Sequence, residues 1–468
     1  MKVTHELTDD LNGVISINLE TADYQPQIEK TLKDYRKKAN MPGFRPGMVP
    51  MGMIKKMYGN SVLGEELNKI LSEQLNTYIT SNDLQVLGNP LPKEDDKIDL
   101  DINKLEAVTF NYNIGIAPAF EVKISDKDKF TYNKVAIDQD LIEKYSSDIR
   151  RRYGKVEEVE AAGENDMLSG KFQQLDAEGA ILENGIEHTS TITLEFLEDE
   201  AAKKELTGKK VGDVVVVDPF KVSKGHEDLG KMLNISHEQV HAIEGQKFQF
   251  SVEHVYHMTP AELTQELYDT VYGKDEVKTE EEYNARISAE LTDMFAKDSD
   301  FLLMRNVQDE LIEKLKLSLP DEFLKRWLMN ANEKPLTPEQ LEAEYPNYAK
   351  GLMWQLIENK LISGNDLNVG EQEVIEYVKD NLKAQFARYG MPDPEAEVLD
   401  QAVARTLQNQ EEVRNVYQEL YNRKLLALYK DTFKLKEKEV SFDEFVKLAT
   451  GKPAKKGILS NIGNLFKG

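Results

Sequence analysis

Near the start of the chain Ile15, Ile17 and Leu19 fall on alternate positions, with Val14 beside them, and predict an opening strand. Pro26 stands where a first-turn proline belongs, and Ile28, Leu32 and Tyr35 then give a helix one apolar face. That helix stops at Ala39-Asn40-Met41-Pro42-Gly43. A second helix follows Pro50, with Leu67, Ile70, Leu71, Leu75 and Tyr78 as a longer buried stripe. Strand-like stretches near 84–87 and 109–116 complete an α+β unit that ends near Pro118.

Beyond it, 138–153 reads as a charged helical connector with Leu141, Tyr145 and Ile149 on one side. The pattern then turns to strands. Residues 190–196 alternate, 214–217 are four valines, and Phe248, Phe250, Val252 and Val255 alternate again, with Gly208, Gly212 and Gly245 as punctuation. From Pro260 to about Ala449 the period is helical throughout. Tyr283, Ile287, Leu291 and Phe295 recur every fourth residue, as do Leu303, Val307, Leu311 and Leu315. Such a spacing drifts by about 40° per step against a 3.6-residue turn. The stripe therefore winds, and these helices either touch several neighbours or present apolar surface outward. Breaks are predicted at Leu319-Pro320, Lys334-Pro335, Tyr345-Pro346 and Met391-Pro392-Asp393-Pro394. The expected fold class is α+β and multidomain: 1–118 as an α+β domain, 119–155 as a linker with a connecting helix, 156–257 as a β-rich domain, 258–450 as an all-helical domain, and 451–468 as a basic tail.

Charge sharpens this map. The 468 residues carry a formal net charge of -25, which argues against broad nucleic-acid binding. Yet within 24–60, Lys30, Lys33, Arg36, Lys37, Lys38, Arg45, Lys55 and Lys56 face only Glu29 and Asp34. The tail from Lys447 onward holds Lys452, Lys455, Lys456 and Lys467 without an acid. A basic patch on an acidic body implies either a local anionic docking site or ordinary clustering on solvated helices. No run of about 18 apolar residues occurs, the opening residues hold no apolar signal region, and there is no cysteine. A cytoplasmic protein without a membrane partner is expected.

The loop between the first two helices reads Met41-Pro42-Gly43-Phe44-Arg45-Pro46-Gly47-Met48-Val49-Pro50. Its glycines and prolines hold a tight turn that pushes an aromatic ring and a guanidinium outward, an apolar anchor beside a planar fork for carboxylate or phosphate. The alternative is an ordinary loop with Phe44 buried. Met41, Met48, Met51, Met53 and Met57 crowd the same segment as soft, adaptable surface. Gly43, Phe44, Arg45, Gly47 and Pro50 match the signature Gly-Phe-Arg-x-Gly-x-x-Pro, and the chain resembles the bacterial trigger factors.

Weaker landmarks follow in the family's order: Glu164-Asn165-Asp166 with Phe172, Leu317 to Pro320, Leu367-Asn368-Val369 with Glu373-Val374, Phe386 to Gly390, and Lys438 to Phe442. The resemblance implies a ribosome-associated, ATP-independent chaperone for nascent and unfolded polypeptides. It implies an N-terminal ribosome-binding domain, an inserted FKBP-like domain and a helical chaperone domain. Its loop tip would dock on a tunnel-exit ribosomal protein and rRNA through Gly43, Phe44, Arg45, Pro46, Gly47 and Pro50. Here Pro46 replaces a basic residue common in the family. A homodimer off the ribosome stays open.

The resemblance also implies prolyl isomerisation, which must cross an amide barrier of about 18–20 kcal/mol by holding proline in a dry aromatic cup. Phe172 matches one wall. The family's apolar floor is replaced by Leu197-Glu198-Asp199-Glu200-Ala201-Ala202 and its flap by Asp218-Pro219-Phe220-Lys221-Val222. Either the activity is eroded, or Phe196, Phe220 and Phe248 rebuild the cup.

A second motif competes for attention. His237-Glu238-Gln239-Val240-His241 is a literal HExxH, in which two histidines one turn apart can bind zinc. Six of the seven histidines lie between His188 and His257. Ser236 with Gln239 reads as a capping box, so the helix is short, and the sequence offers no third ligand. A zinc hydrolase is therefore the remote alternative, and no metal or cofactor is expected. Gly163 and Gly170-Lys171 are wrongly spaced for a phosphate-binding loop, with Phe172 where Ser or Thr is needed. In the tail, Ile458, Leu459, Ile462, Leu465 and Phe466 would form one helical face, too short to be stable alone in water.

Overall fold

The computed structural model describes residues 1–451 apart from 41, 43, 46, 94–99, 332–335 and 392–393. Gly43, Pro46, the predicted breaks at Lys334-Pro335 and Pro392-Asp393, and the tail beyond Gly451 lie outside the described residues. Two compact units emerge: Met1–Asp128 with Asn306–Lys434, and Lys129–Arg305 with the segment from Leu435 onward.

In the first unit β1 (Lys2–Leu7) and β2 (Asn12–Leu19) lead into α1 (Thr21–Lys38), α2 (Met51–Ser81), β3 (Val86–Pro92) and β4 (Val108–Ile116). The sheet is antiparallel in the order β1-β2-β4-β3. Ile15, Ile17 and Leu19 are fully buried, as alternation requires, and pack with Tyr24, Ile28 and Leu32 of α1 and Leu63, Leu67 and Leu71 of α2. One expectation needs correction. Helix α1 starts at Thr21, capped by a reciprocal Glu20–Asp23 box, so Pro26 lies inside the helix and not in its first turn.

The second unit opens with β5 (Lys129–Val135) and α3 (Gln139–Arg152), the latter capped by Asp138, whose carboxylate accepts from the Leu141 N–H at 2.9 Å. Then follow β6 (Lys155–Glu158), β7 (Met167–Gln174), β8 (Glu187–Thr193), α4 (Glu200–Leu206), β9 (Val214–Val217), α5 (His226–Leu233), α6 (His237–Ala242) and β10 (Phe248–Thr259). Strand β10 is the hub: it pairs with β7 along one edge and with β9 and β6 along the other, while β8 extends the sheet beyond β7. Phe172, Phe248 and Phe250 fill its core together with Leu168, Leu229 and Val240.

The helical region comprises α7 (Gln265–Tyr272), α8 (Glu280–Leu315), α9 (Asp321–Ala331), α10 (Pro338–Gly364), α11 (Glu371–Arg388), α12 (Ala396–Gln408) and α13 (Gln410–Thr432), followed by β11 (Lys434–Val440) and α14 (Phe442–Thr450). The winding stripe is buried: Tyr283, Ile287, Leu291 and Phe295 share a core with Val135, Leu141, Ile149 and Phe445. The connector is thus part of a packed body. In the first unit α9 lies so close to the sheet that a Cβ at Gly115 would sit 2.5 Å from the Phe323 ring.

Two further expectations are overturned. The helical run does not reach Ala449 unbroken, because β11 interrupts it and pairs with β5, itself absent from the predicted connector. Neither strand carries a clean apolar alternation: only Val440 of β11 is buried, so charge hides its period. Nor does Tyr345-Pro346 break a helix. Pro346 lies inside α10, where Tyr345 is buried and its hydroxyl bonds to Asp321. Packing of Tyr345, Tyr348 and Leu352 beside Phe323 offsets the cost of about 3 kcal/mol that an interior proline brings.

Candidate functional site

The loop between α1 and α2 is built from its anchors. Val49 is fully buried in the α1–α2 core, and Arg36 donates from Nε to the Gly47 carbonyl at 3.2 Å. The Met48 N–H closes a turn on the Arg45 carbonyl at 2.9 Å, and Gly47 takes φ +79°, a left-handed conformation that favours glycine. With its C-terminal side held, the loop leaves Phe44 36% exposed, Met48 66% and Arg45 exposed. Met53 and Met57, one turn apart on α2, extend the apolar surface at 41% and 55%. Lys30, Lys33, Lys37 and Lys38 are exposed on α1. Among these, Lys37 pairs with Asp34 at 2.8 Å and, by that hydrogen bond, holds its carboxyl below the ordinary value. The loop therefore joins a soft apolar tip to a cationic flank.

The aromatic residues nominated for an isomerase cup do not form an open one. Phe172 and Phe248 have no exposed surface, and the Phe172 ring packs on Phe250 with centroids 4.6 Å apart. Neither can touch a client in this structure. Phe220 is half-buried and meets His226 edge-on at 5.7 Å. Only Phe196, also half-buried, lines a cleft of about 360 Å³, with Thr191, Leu197, Lys224, Asp228 and Met232 around it. Cations crowd that ring. Lys224 Nζ lies 3.9 Å from its centroid and the Arg151 guanidinium 4.9 Å away, the latter held by an ion pair with Glu195. The charged segment at Glu198 to Glu200 starts α4: Asp199 caps it, accepting from the Ala202 N–H at 2.9 Å, and that bond above all lowers its pKa.

The landmarks acquire reasons. Asp166 is buried, accepts from the Gly163 N–H at 2.7 Å, and lies 2.5 Å from Nδ1 of His257. Ser441 caps α14, and Leu319 packs against Leu87 and Phe323. Around the HExxH segment the capping box between Ser236 and Gln239 is present, and α6 has six residues. The sequence missed a third histidine. His226, at the start of α5, stands beside His237 and His241, with one nitrogen of each ring within 4.8 Å of the others. It lies eleven positions before His237, so no fixed spacing announces it.

Three family models match the chain in order: bacterial trigger factor protein at residues 1–149, the FKBP-like domain of a probable trigger factor at 156–260, and the C-terminal domain of a probable trigger factor at 299–449. The chain belongs to the trigger factor family. It is accordingly a ribosome-associated chaperone with a central FKBP-like domain and a helical C-terminal domain. Curated relatives agree. The trigger factor of Chlorobaculum parvum is 27% identical over 384 residues, 79% of this chain and 84% of its own. That of Chloroherpeton thalassium is 24% identical over 380 residues, 78% and 84% of the two chains. A solved structure titled "Promiscuous Substrate Recognition in Folding and Assembly Activities of the Trigger Factor Chaperone" matches 92% of this chain and 98% of its own at 18% identity, with a TM-score of 0.43. Among the described residues no helix is long and apolar enough to cross a membrane.

Proposed function

We propose that this trigger factor docks beside the tunnel exit of cytoplasmic ribosomes through Gly43 to Pro50, on a ribosomal protein and adjacent rRNA. From there it shelters nascent and unfolded chains without ATP. The observation that carries the docking step is the pair Phe44 and Arg45, exposed on a loop that buried Val49 anchors. Exposed Tyr389 and Met391 at the end of α11 and Val398 on α12 supply apolar surface for clients in the helical domain. Burial there stabilises by about 25 cal/mol per Å², enough to hold a chain briefly and still release it.

The FKBP-like domain contributes weak prolyl isomerase activity at most. Its cleft has one aromatic ring, and that ring carries two cations. Co-sedimentation of the full chain with ribosomes tests the docking proposal. The double variant Phe44→Ala/Arg45→Ala should abolish pelleting with far-UV circular dichroism unchanged. Undiminished pelleting of that variant would mean that another surface docks.

A further inference from the structure

Helices α5 and α6 form a hairpin whose inner face is fixed. Leu229, Met232 and Leu233 of α5, Val240 of α6 and Ile243 after it are all buried in the FKBP-like core. The turn between them is equally determined. Asn234 ends α5 in the left-handed conformation, the Ile235 N–H bonds to the Gly230 carbonyl at 2.9 Å, and Ser236 opens α6 with its capping box. With backbones held from within, outward side chains keep their relative places.

Those side chains include three imidazoles. His237 and His241 are one turn apart on α6 and share a face, with ring centroids 4.8 Å apart. His226 reaches the same spot from α5, 4.9 Å from His241 and 6.2 Å from His237 by centroids. All three are exposed, and among the described residues none hydrogen-bonds to a carboxylate or a carbonyl. By contrast, His254 and His257 are matched with Glu158 and Asp166. Three unpartnered imidazoles whose nitrogens lie within 4.8 Å of one another need only small side-chain rotations to converge. A tetrahedral ion with ligands at about 2.0–2.1 Å requires them roughly 3.3 Å apart.

We propose that His226, His237 and His241 bind one divalent transition-metal ion of the kind that favours imidazole, zinc or nickel, and that the ion clamps α5 to α6. The ligand set excludes calcium and magnesium, which demand oxygen donors. Three protein ligands leave a fourth position to water or to an incoming side chain. The site is open to solvent on all three residues, so it serves as a cross-link and not as an enclosed hydrolytic centre. Its place gives the clamp a target, because α5 also contributes Asp228, Lys231 and Met232 to the cleft beside Phe196, and His226 touches Phe220.

The test uses the full chain without an affinity tag, stripped with chelator and titrated with ZnCl2 or NiCl2 by calorimetry, in parallel with thermal unfolding. One ion per chain is expected, with a raised unfolding midpoint, and millimolar MgCl2 should not compete. His226→Ala should weaken binding by at least about tenfold, since even changes beyond the ligand shell cost 10–100-fold in metal sites. His254→Ala, with circular dichroism as the control for folding in every variant, should leave binding unchanged. Equal affinity in wild type and His226→Ala would reduce the site to an ordinary pair on α6 and overturn the proposal, as would failure to bind either ion.

Discussion

The loop between α1 and α2 and the FKBP-like cleft are both built around phenylalanine, and they use it in opposite ways. At 42–50 a single ring, Phe44, is pushed outward by neighbours that are contiguous in sequence, with Val49 buried as the anchor. In the FKBP-like domain five phenylalanines come from distant strands and turns, and the fold spends three of them, Phe172, Phe248 and Phe250, on its own core. Of the two that keep any surface, Phe196 is covered by Lys224 and Arg151. A site that works by exposure can be written in consecutive residues. A concave site is decided by which rings the core consumes, and only the assembled fold settles that.

The largest expected effect follows directly. Phe172→Ala should cost about 3–5 kcal/mol, the range for deleting a buried aromatic ring, read as loss of the FKBP-like domain's unfolding transition. Phe44→Ala should change stability by less than about 0.5 kcal/mol, as surface substitutions do. Denaturant melts of the two variants make the comparison. Similar losses in both would erase the distinction between an exposed tip and a consumed core.

The same distinction explains what the sequence disclosed. The strand at Ile15 to Leu19, the α2 stripe, the α6 capping box and the exposure of Phe44 were legible because each depends on residues within one or two turns of one another. Strands β5 and β11 were not, since each is half of a pair formed across some three hundred residues and neither buries a regular face. Pro346 misled because interior packing at Tyr345 overrides a local rule. The burial of Phe172 and Phe248 was hidden for a related reason: an aromatic residue in a strand says nothing about which side of the sheet faces solvent. His226 was invisible beside a literal HExxH because its proximity is made by the turn at Asn234.

A buried acid tests that contrast where the sequence looks unremarkable. Lys297-Asp298-Ser299-Asp300 reads as a solvated stretch, yet Asp298 is 7% exposed and its Oδ2 has no partner. Burial pushes its carboxyl up from 3.8 to about 6. The folded state thus holds the proton more tightly than the unfolded one. Any stability this group contributes is complete below about pH 3.8 and is lost as pH rises to about 6, a penalty of up to about 3 kcal/mol at neutral pH. Asp298→Asn should raise stability at pH 7.5, and the gain should shrink as pH falls from 6 towards 4. A gain independent of pH would mean that the Asp298 carboxyl has the same pKa in the folded and unfolded protein, so that burial does not raise it.

The smallest effect bears on the cleft itself. If its weakness as an isomerase site comes from a covered ring, uncovering the ring should restore part of the activity. Lys224 Nζ lies 3.9 Å from the Phe196 centroid, and a cation over an aromatic face is worth about 0.5–1 kcal/mol at an exposed site. A proline stacking on that face must first displace it. Lys224→Ala removes the competitor and should raise turnover of a proline-containing peptide by about two- to fivefold, the same free energy expressed as a rate. Phe196→Ala should then abolish whatever activity remains, because no other nominated aromatic residue lines the cleft. The pair of variants separates two causes. A rise in the first and a loss in the second assign the weakness to occlusion. No change in either would assign it to the missing walls, with Phe172 and Phe248 irretrievably committed to the core.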